Sequence, residues 1–201
     1  MSNSQSRAGH FSGRSSGFPL AWLLCFFATL LCGPVRAADT TLEVIGASIK
    51  LDEGVYVLDA DLEIDLPGGA RRAIDAGLTL RLNYEIEMER VRRYLPDPDV
   101  AALVQGYELS YHALSQRYIL RSLNTGEQQD VGSLAAALDR LSSVRGLPII
   151  DAALLEPGPA YAVRVRAVLT LRSAPDTLSW LLFWTDDWSA TSEWYTWTHR
   201  R

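Results

Sequence analysis

Apolar and polar residues alternate strictly over residues 78–89, and this pattern constrains the fold more than any other feature of the chain. Leucine, tyrosine, isoleucine and methionine fill every second position, and mainly charged or polar residues stand between them. Successive side chains of a β-strand point to opposite faces of a sheet, so the pattern predicts a strand with one buried and one solvated face.

Further segments show strand patterning. They are residues 42–50, 55–66, 101–112, 115–123 and 161–172. Asp52-Glu53-Gly54 predicts a turn between the first two. In residues 55–66, apolar positions alternate with four acids, Asp59, Asp61, Glu63 and Asp65. This alternation is typical of an antiparallel strand with one wet face.

Two short helices are predicted between the strands. Residues 70–76 carry apolar side chains on one face and are followed by Gly77, a good C-terminal stop. Residues 133–144 begin at Ser133, a favourable N-cap, and Gly146 with Pro148 would end that helix. The chain is therefore expected to form a single α+β domain over residues 38–201. It would be mostly antiparallel β-sheet, with a sandwich as an arrangement that the pattern allows.

Residues 1–37 predict a secretory signal peptide. Arg7 and Arg14 precede the apolar run 20–31, which is shorter than the ~20 residues of a membrane-spanning helix. Val35 and Ala37 suit the positions before a cleavage site, so cleavage is expected after Ala37. An uncleaved signal would instead anchor the protein in the inner membrane. Both interpretations place residues 38–201 outside the cytoplasmic membrane.

Cleavage would change the chemistry of the chain. It would remove both cysteines, together with three arginines and no acid, and so shift the formal net charge from −5 to −8. The remaining chain could form no disulfide and no thiolate metal site. Its acidity argues against nucleic acid and anionic lipid as partners. No cofactor is predicted.

No catalytic set emerges from the remaining residues. His112 would share a polar strand face with Ser110, but the chain lacks a G-x-S-x-G or S-x-x-K motif. His199 stands near the C-terminus and is expected to fray. With no cysteine and one ordered histidine, a zinc site is not expected. The acids of residues 59–65 could be a paired-carboxylate site, but a solvated sheet face is the preferred interpretation.

The C-terminal region is rich in tryptophan. The residues concerned are Trp180, Trp184, Trp188, Trp194 and Trp197. Such density suits carbohydrate stacking, partner binding or a membrane-facing edge, whereas the simpler alternative is packing at the core or at a sheet edge.

One block of the chain resembles a known family. Residues 109–118, LSYHALSQRY, are similar to the signature of DUF4390, a family of exported proteobacterial proteins of unknown function. Weaker similarities follow in order: residues 70–78, Asn124-Thr125-Gly126, residues 133–138 and Asp187-Trp188 with Ser192-Glu193-Trp194. The resemblance covers nearly all of residues 40–198. It implies a periplasmic protein, with a sensor histidine kinase among the gene neighbours, and it supplies no catalytic residues.

The resemblance makes the signature block the candidate binding site. The residues are Tyr111, His112, Ser115, Arg117 and Tyr118, and their alternative role is a tightly packed strand turn. The predicted function is a non-enzymatic binding or interaction module of the cell envelope. Its partner would be an envelope protein, with the extracytoplasmic region of a sensor kinase as one candidate. Two alternatives stay open: a hydrolase of envelope glycans or peptides, and a membrane-anchored envelope-stability factor.

Overall fold

The alternating segments form two antiparallel sheets. The computed structural model describes residues 40–92, 99–172 and 188–201. The strands are β1 (Thr41–Asp52), β2 (Val55–Asp65), β3 (Thr79–Arg90), β4 (Asp99–His112), β5 (Arg117–Ser122), β6 (Gln128–Val131), β7 (Ser143–Asp151), β8 (Ala160–Arg172), β9 (Ser189–Thr191) and β10 (Tyr195–Arg200). The helices are α1 (Gly68–Asp75) and α2 (Leu134–Leu141), with one turn of 3-10 helix at Ala152–Leu154.

The small sheet has the strand order β1-β2-β7, and the large sheet has the order β10-β8-β3-β4-β5-β6. Strand β9 pairs with β8 on the same side as β10. Every pairing among the described strands is antiparallel. The predicted α+β class, mostly antiparallel sheet with two helices, is confirmed. No helix among the described residues is long and apolar enough to cross a membrane.

The two sheets pack face to face around one apolar core. Leu58 and Leu62 of β2 share a cluster of buried residues with Leu82 and Ile86 of β3. Strand β1 contacts β8 and β10, whereas β7 contacts β4. The small sheet therefore lies against the β10, β8 and β4 strands of the large sheet.

The two helices extend this core beyond the small sheet. The Ser133 hydroxyl accepts from the Ala136 N–H at 3.2 Å, which confirms the predicted N-cap of α2. Leu138 of α2 and Ile74 of α1 are buried in the core. The hydroxyl of fully buried Tyr84 donates to the Leu141 carbonyl at 2.6 Å and so ties the large sheet to the end of α2.

Strand β7 corrects the predicted end of the second helix. Helix α2 stops at Leu141 rather than at residue 144, and the chain enters β7 at Ser143. Gly146 adopts a φ of +62°, and its N–H donates to the Asp59 carboxylate at 2.7 Å, beside a register shift between β2 and β7. A bulged strand at a sheet edge tolerates the glycine and proline that were interpreted as a helix stop. The short strand β6 was not predicted.

His199 does not fray. It lies in β10, with its ring edge-on to Tyr56 at a centroid distance of 5.0 Å. Its Nε2 atom is buried and has no hydrogen-bond partner among the described residues. Burial lowers the pKa of His199 below its usual value. Cross-strand pairing with β8 holds the C-terminal segment in place, so its sequence position was a poor guide.

Candidate functional site

Strands β4 and β5 form a hairpin whose tip carries the predicted site residues. Tyr111 and Tyr118 face each other across the hairpin with ring centroids 5.1 Å apart. Leu114 at the tip is 93% exposed, and Arg117 is exposed as well. The block therefore begins in the core at the buried Leu109 and ends at an exposed tip, with Tyr118 packed against the core cluster. Its role in binding stays a prediction.

The predicted His112 and Ser115 do come together, but through a local turn. The Ser115 hydroxyl lies 2.9 Å from His112 Nδ1, and the Ser115 N–H donates to the same nitrogen at 3.3 Å. These contacts join residues three positions apart on an exposed turn. The arrangement stabilises the hairpin tip and does not present a hydroxyl within a cleft.

The remaining strong contact of the block also has a structural role. The Tyr118 hydroxyl donates to the Asp75 carboxylate at 2.5 Å and so connects the hairpin to the end of α1. This hydrogen bond, with a smaller effect of burial, raises the pKa of Tyr118 to about 12. A proton held so firmly is not available for acid–base chemistry near neutral pH.

The acids of residues 59–65 form ion pairs along the solvated face of β2. Lys50 lies 2.9 Å from Asp59, Arg145 lies 2.5 Å from Asp61, and Arg71 lies 2.9 Å from Asp65. The first of these hydrogen bonds lowers the pKa of Asp59, together with the bond from the Gly146 N–H. Three of the four carboxylates in the row are thus paired with separate cations, and the row does not form a carboxylate dyad.

Within the described ranges, no group of three histidine, cysteine or acidic side chains could hold a metal ion. The predicted turn at Asp52-Glu53-Gly54 is confirmed between β1 and β2. Two further acidic segments of the sequence, Asp97-Pro98 and Asp186-Asp187, lie outside the described residues.

A cleft of about 570 Å³ lies at the other end of the same hairpin. Its floor comes from the inward faces of β4 and β5, and one wall comes from β7 and the end of α2. The turn after β5 and strand β6 supply the rest of the wall, and Gln129 of β6 meets Arg140 of α2. The volume lies within the ~300–1,000 Å³ that small-ligand pockets usually occupy.

The floor of the cleft is polar, although it continues the apolar core. Gln105 is only 6% exposed and occupies an inward position between Leu103 and Tyr107 on β4. Its Nε2 donates to the Ser122 hydroxyl at 3.2 Å. Burial raises the pKa of Tyr107, and a hydrogen bond with the Gln105 side chain offsets part of that shift. The floor thus offers amide and hydroxyl groups without a charge.

The charged residues of the walls already have partners. Arg140 donates to Gln129 at 3.2 Å, and the Gln129 amide donates to Glu127 at 3.2 Å. Arg145 donates to the Ala60 carbonyl at 2.8 Å and pairs with Asp61. Arg145 is thus paired with a carboxylate, whereas Arg140 meets a neutral amide and keeps its positive charge beside the cleft.

A rigid turn sets the outer limit of the cleft. Asn124 accepts from the Gly106 N–H and donates to the Val104 carbonyl, both at 2.9 Å. A Cβ atom at Gly106 would lie 2.9 Å from a Leu123 methyl carbon. A larger residue at position 106 would therefore collide with the turn. The chain turns at residues 123–125, and Gly126 follows with a φ of +75°.

Sequence reasoning missed this cleft. Leu103, Tyr107, Leu109 and Tyr111 share the inward face of β4, and the one available signal for the cleft was the polar Gln105 within that stripe. A buried polar residue on a core-facing position needs a partner or a function. The wall from β7 could not be recognised, because that segment was assigned to a helix and its stop.

The tryptophans of the C-terminal region have separate roles. Trp188 and Trp197 pack against the core cluster. Trp194 covers the guanidinium groups of Arg166 and Arg164 at 4.4 and 5.1 Å from its ring centre. Trp180 and Trp184 lie outside the described residues.

The family model of DUF4390, a domain of unknown function, matches residues 39–198. The chain belongs to this family. The resemblance seen in residues 109–118 is thereby confirmed, and the match takes in both the signature hairpin and the cleft. No curated protein and no solved structure matches this DUF4390 chain significantly.

Proposed function

We propose that this DUF4390 protein is an exported, non-enzymatic interaction module that receives an envelope partner in the cleft between β7 and the β4–β5 hairpin. The observation that carries the proposal is the uncharged polar floor, Gln105 with Tyr107 and Ser122, at a place where the core would otherwise continue. Burying such groups beside a cleft is costly unless hydrogen bonds compensate. A bound partner would supply further hydrogen bonds to this floor.

Export to the periplasm is the first part of the proposal. Its support is the sequence pattern of residues 1–37. Cell fractionation followed by intact-mass measurement of the protein tests it. We expect a periplasmic protein whose first residue is Ala38. An intact Met1 in the membrane fraction would replace this proposal with the membrane-anchored factor, and a cytoplasmic protein would contradict both.

Capture from crosslinked envelope extracts tests the site. Gln129 and Thr196 are both exposed strand residues, the first on the cleft wall and the second on β10. We expect Gln129→Trp to block the cleft and to deplete the partner at least tenfold. Thr196→Trp is the matched control and should retain the partner. If both variants capture the same proteins as the wild type, the cleft is not the binding site.

The partner class is the next part of the proposal. The extracytoplasmic region of a sensor histidine kinase is the candidate that the family resemblance suggested. Direct titration of that purified region against the wild type and Gln129→Trp measures the interaction. We expect saturable binding to the wild type and at least tenfold weaker binding to the variant.

The absence of enzymatic turnover is the last part. Its support is that His112, Ser115 and the acids of β2 are used in turn and ion-pair contacts. Mass spectrometry of a partner before and after incubation with the protein tests it. An unchanged mass is expected, and a cleaved or modified partner that depends on the cleft would establish an enzyme instead.

A further inference from the structure

We propose that the partner enters the cleft as an extended polypeptide segment and adds to the small sheet as a strand beside β7. This inference rests on the proposed function and specifies its chemistry. Strand addition uses main-chain hydrogen bonds for affinity and pockets for alternate side chains for specificity.

The edge of β7 is the first observation. The small sheet has the order β1-β2-β7, and among the described strands β7 has a neighbour on only one side. An edge strand presents a row of N–H and C=O groups that can pair with another chain. Residues 143–148 of this strand line the cleft, so the edge faces space that a second chain can enter.

The layering of the two sheets is the second observation. From β1 to β7 the small sheet runs across the large sheet from β8 and β10 towards β4. Beyond β7, a fourth strand would lie over β4 and β5, where helix α2 fills part of the layer and the cleft occupies another part. Six residues of β7 border the cleft, a length of ~20 Å in an extended chain.

The chemistry of the lining suits a peptide main chain. Gln105, Tyr107 and Ser122 offer uncharged donors and acceptors beside the apolar Leu120. Arg145 is paired with Asp61, whereas Arg140 donates to the neutral Gln129 and keeps its positive charge at the rim. Peptide groups need the uncharged donors and acceptors that this floor supplies. A peptide strand also matches the free edge of β7, which an oligosaccharide cannot pair with in a regular ladder.

Pro148 restricts how the added strand can sit. It lies in the part of β7 that borders the cleft, and it has no N–H to donate. Gly146 directs its N–H to Asp59 on the β2 side. The partner strand must therefore take a register that places no acceptor opposite Pro148. This requirement limits non-specific pairing.

Peptides selected from a random twelve-residue display library are the probe for this inference, and the protein is used as the cell produces it. Amide hydrogen exchange of Ser143–Asp151 is measured with and without each selected peptide. Backbone N-methylation is then introduced at each peptide position in turn. A strand uses every second N–H towards its neighbour, so methylation should weaken binding about tenfold or more at alternate positions and less than about threefold between them.

Slower exchange in β7, together with the alternating methylation pattern, is the expected result. The same peptides should bind Thr196→Trp normally and Gln129→Trp at least tenfold more weakly. Binding without protection of β7, or without alternation, overturns strand addition. The same holds if no peptide is selected, or if chitotetraose alone binds and protects the cleft. In each of these cases the capture experiment with Gln129→Trp still judges the proposed function separately.

Discussion

The two ends of the β4–β5 hairpin differ in how their contacts are built. At the tip, His112 contacts Ser115, which is only three residues away, and the side chains meet water. At the cleft end, Gln105 contacts Ser122, and Arg145 reaches Ala60 across 85 positions of the chain. A recognisable sequence block therefore marks the end with the local His112–Ser115 turn, where Tyr118 adds one long-range contact to Asp75. The concave site instead arises from several segments that are distant in sequence.

The two ends of the hairpin also differ in how deeply their hydrophobic side chains are buried. Leu120 near the cleft is 8% exposed and belongs to the core, whereas Leu114 at the tip is 93% exposed. Hydrophobic side chains at the two ends thus have different energetic roles. The tip can vary at little cost to folding, but the cleft end is continuous with the core.

The largest expected effect contrasts these two leucines. We expect Leu120→Ala to lower the free energy of unfolding by about 2–5 kcal/mol, because it leaves a cavity in the core. Leu114→Ala should change it by less than about 0.5 kcal/mol. Urea denaturation of both variants measures the difference. Equal losses would mean that the tip is packed as tightly as the cleft end.

Tyr84 tests the connection between the large sheet and the wall of the cleft. Tyr84→Phe removes the donor to the buried Leu141 carbonyl and should cost about 1–3 kcal/mol of stability. Tyr118→Phe removes a hydrogen bond that meets water and should cost less than about 1 kcal/mol. If Tyr118→Phe lowered the free energy of unfolding more than Tyr84→Phe, the tip contact would contribute more to stability than the contact behind the cleft wall.

The pKa of Tyr118 gives a pH-dependent test of the tip. Its value in the folded protein is about 12, above the ~10 of an unfolded chain, because Asp75 accepts its hydrogen bond. The raised pKa stabilises the fold below pH ~10, and that contribution is lost as the pH rises through 12. Asp75→Asn should move the Tyr118 pKa towards 10 in a spectrophotometric titration, with Tyr118→Phe identifying its signal. An unchanged titration would contradict the contact.

The smallest effects concern backbone conformation at the two ends. Gln116 at the tip has a φ of +52°, and Gly126 beside the cleft has a φ of +75°. Gln116→Gly should raise stability by up to about 1 kcal/mol, because the left-handed region costs other residues ~1–2 kcal/mol. Gly126→Ala should lower stability by about 1 kcal/mol. Urea denaturation midpoints measure both effects. If the midpoints of Gln116→Gly and Gly126→Ala shifted in the same direction, backbone strain at the two positions would not explain the changes.

Local patterns predicted much of the fold. The alternation of residues 78–89 and 161–172 gave the two central strands β3 and β8, and Ser133 was recognised as a cap. These signals succeed because strand faces and N-caps depend on neighbouring residues. Strand β7 was missed because a glycine and a proline such as Gly146 and Pro148 can mark either the end of a helix or a bulge in an edge strand.

The candidate site was predictable only in part. Residues 109–118 identified the correct hairpin but drew attention to its exposed tip. The cleft depends on how β7 and α2 pack against β4 and β5, and this tertiary arrangement leaves only Gln105 as a sign in the local sequence. His199 was misjudged for the same reason, because pairing with β8 overrides its terminal position.

Photo-crosslinking in living cells tests most directly whether the cleft, rather than the tip, receives the partner. A benzophenone amino acid is placed either at Gln129 on the cleft wall or at Leu114 on the tip, and adducts are identified by mass spectrometry. If the cleft binds the partner, we expect an adduct with one envelope protein from Gln129 and none with that protein from Leu114. An adduct from Leu114 alone would contradict it.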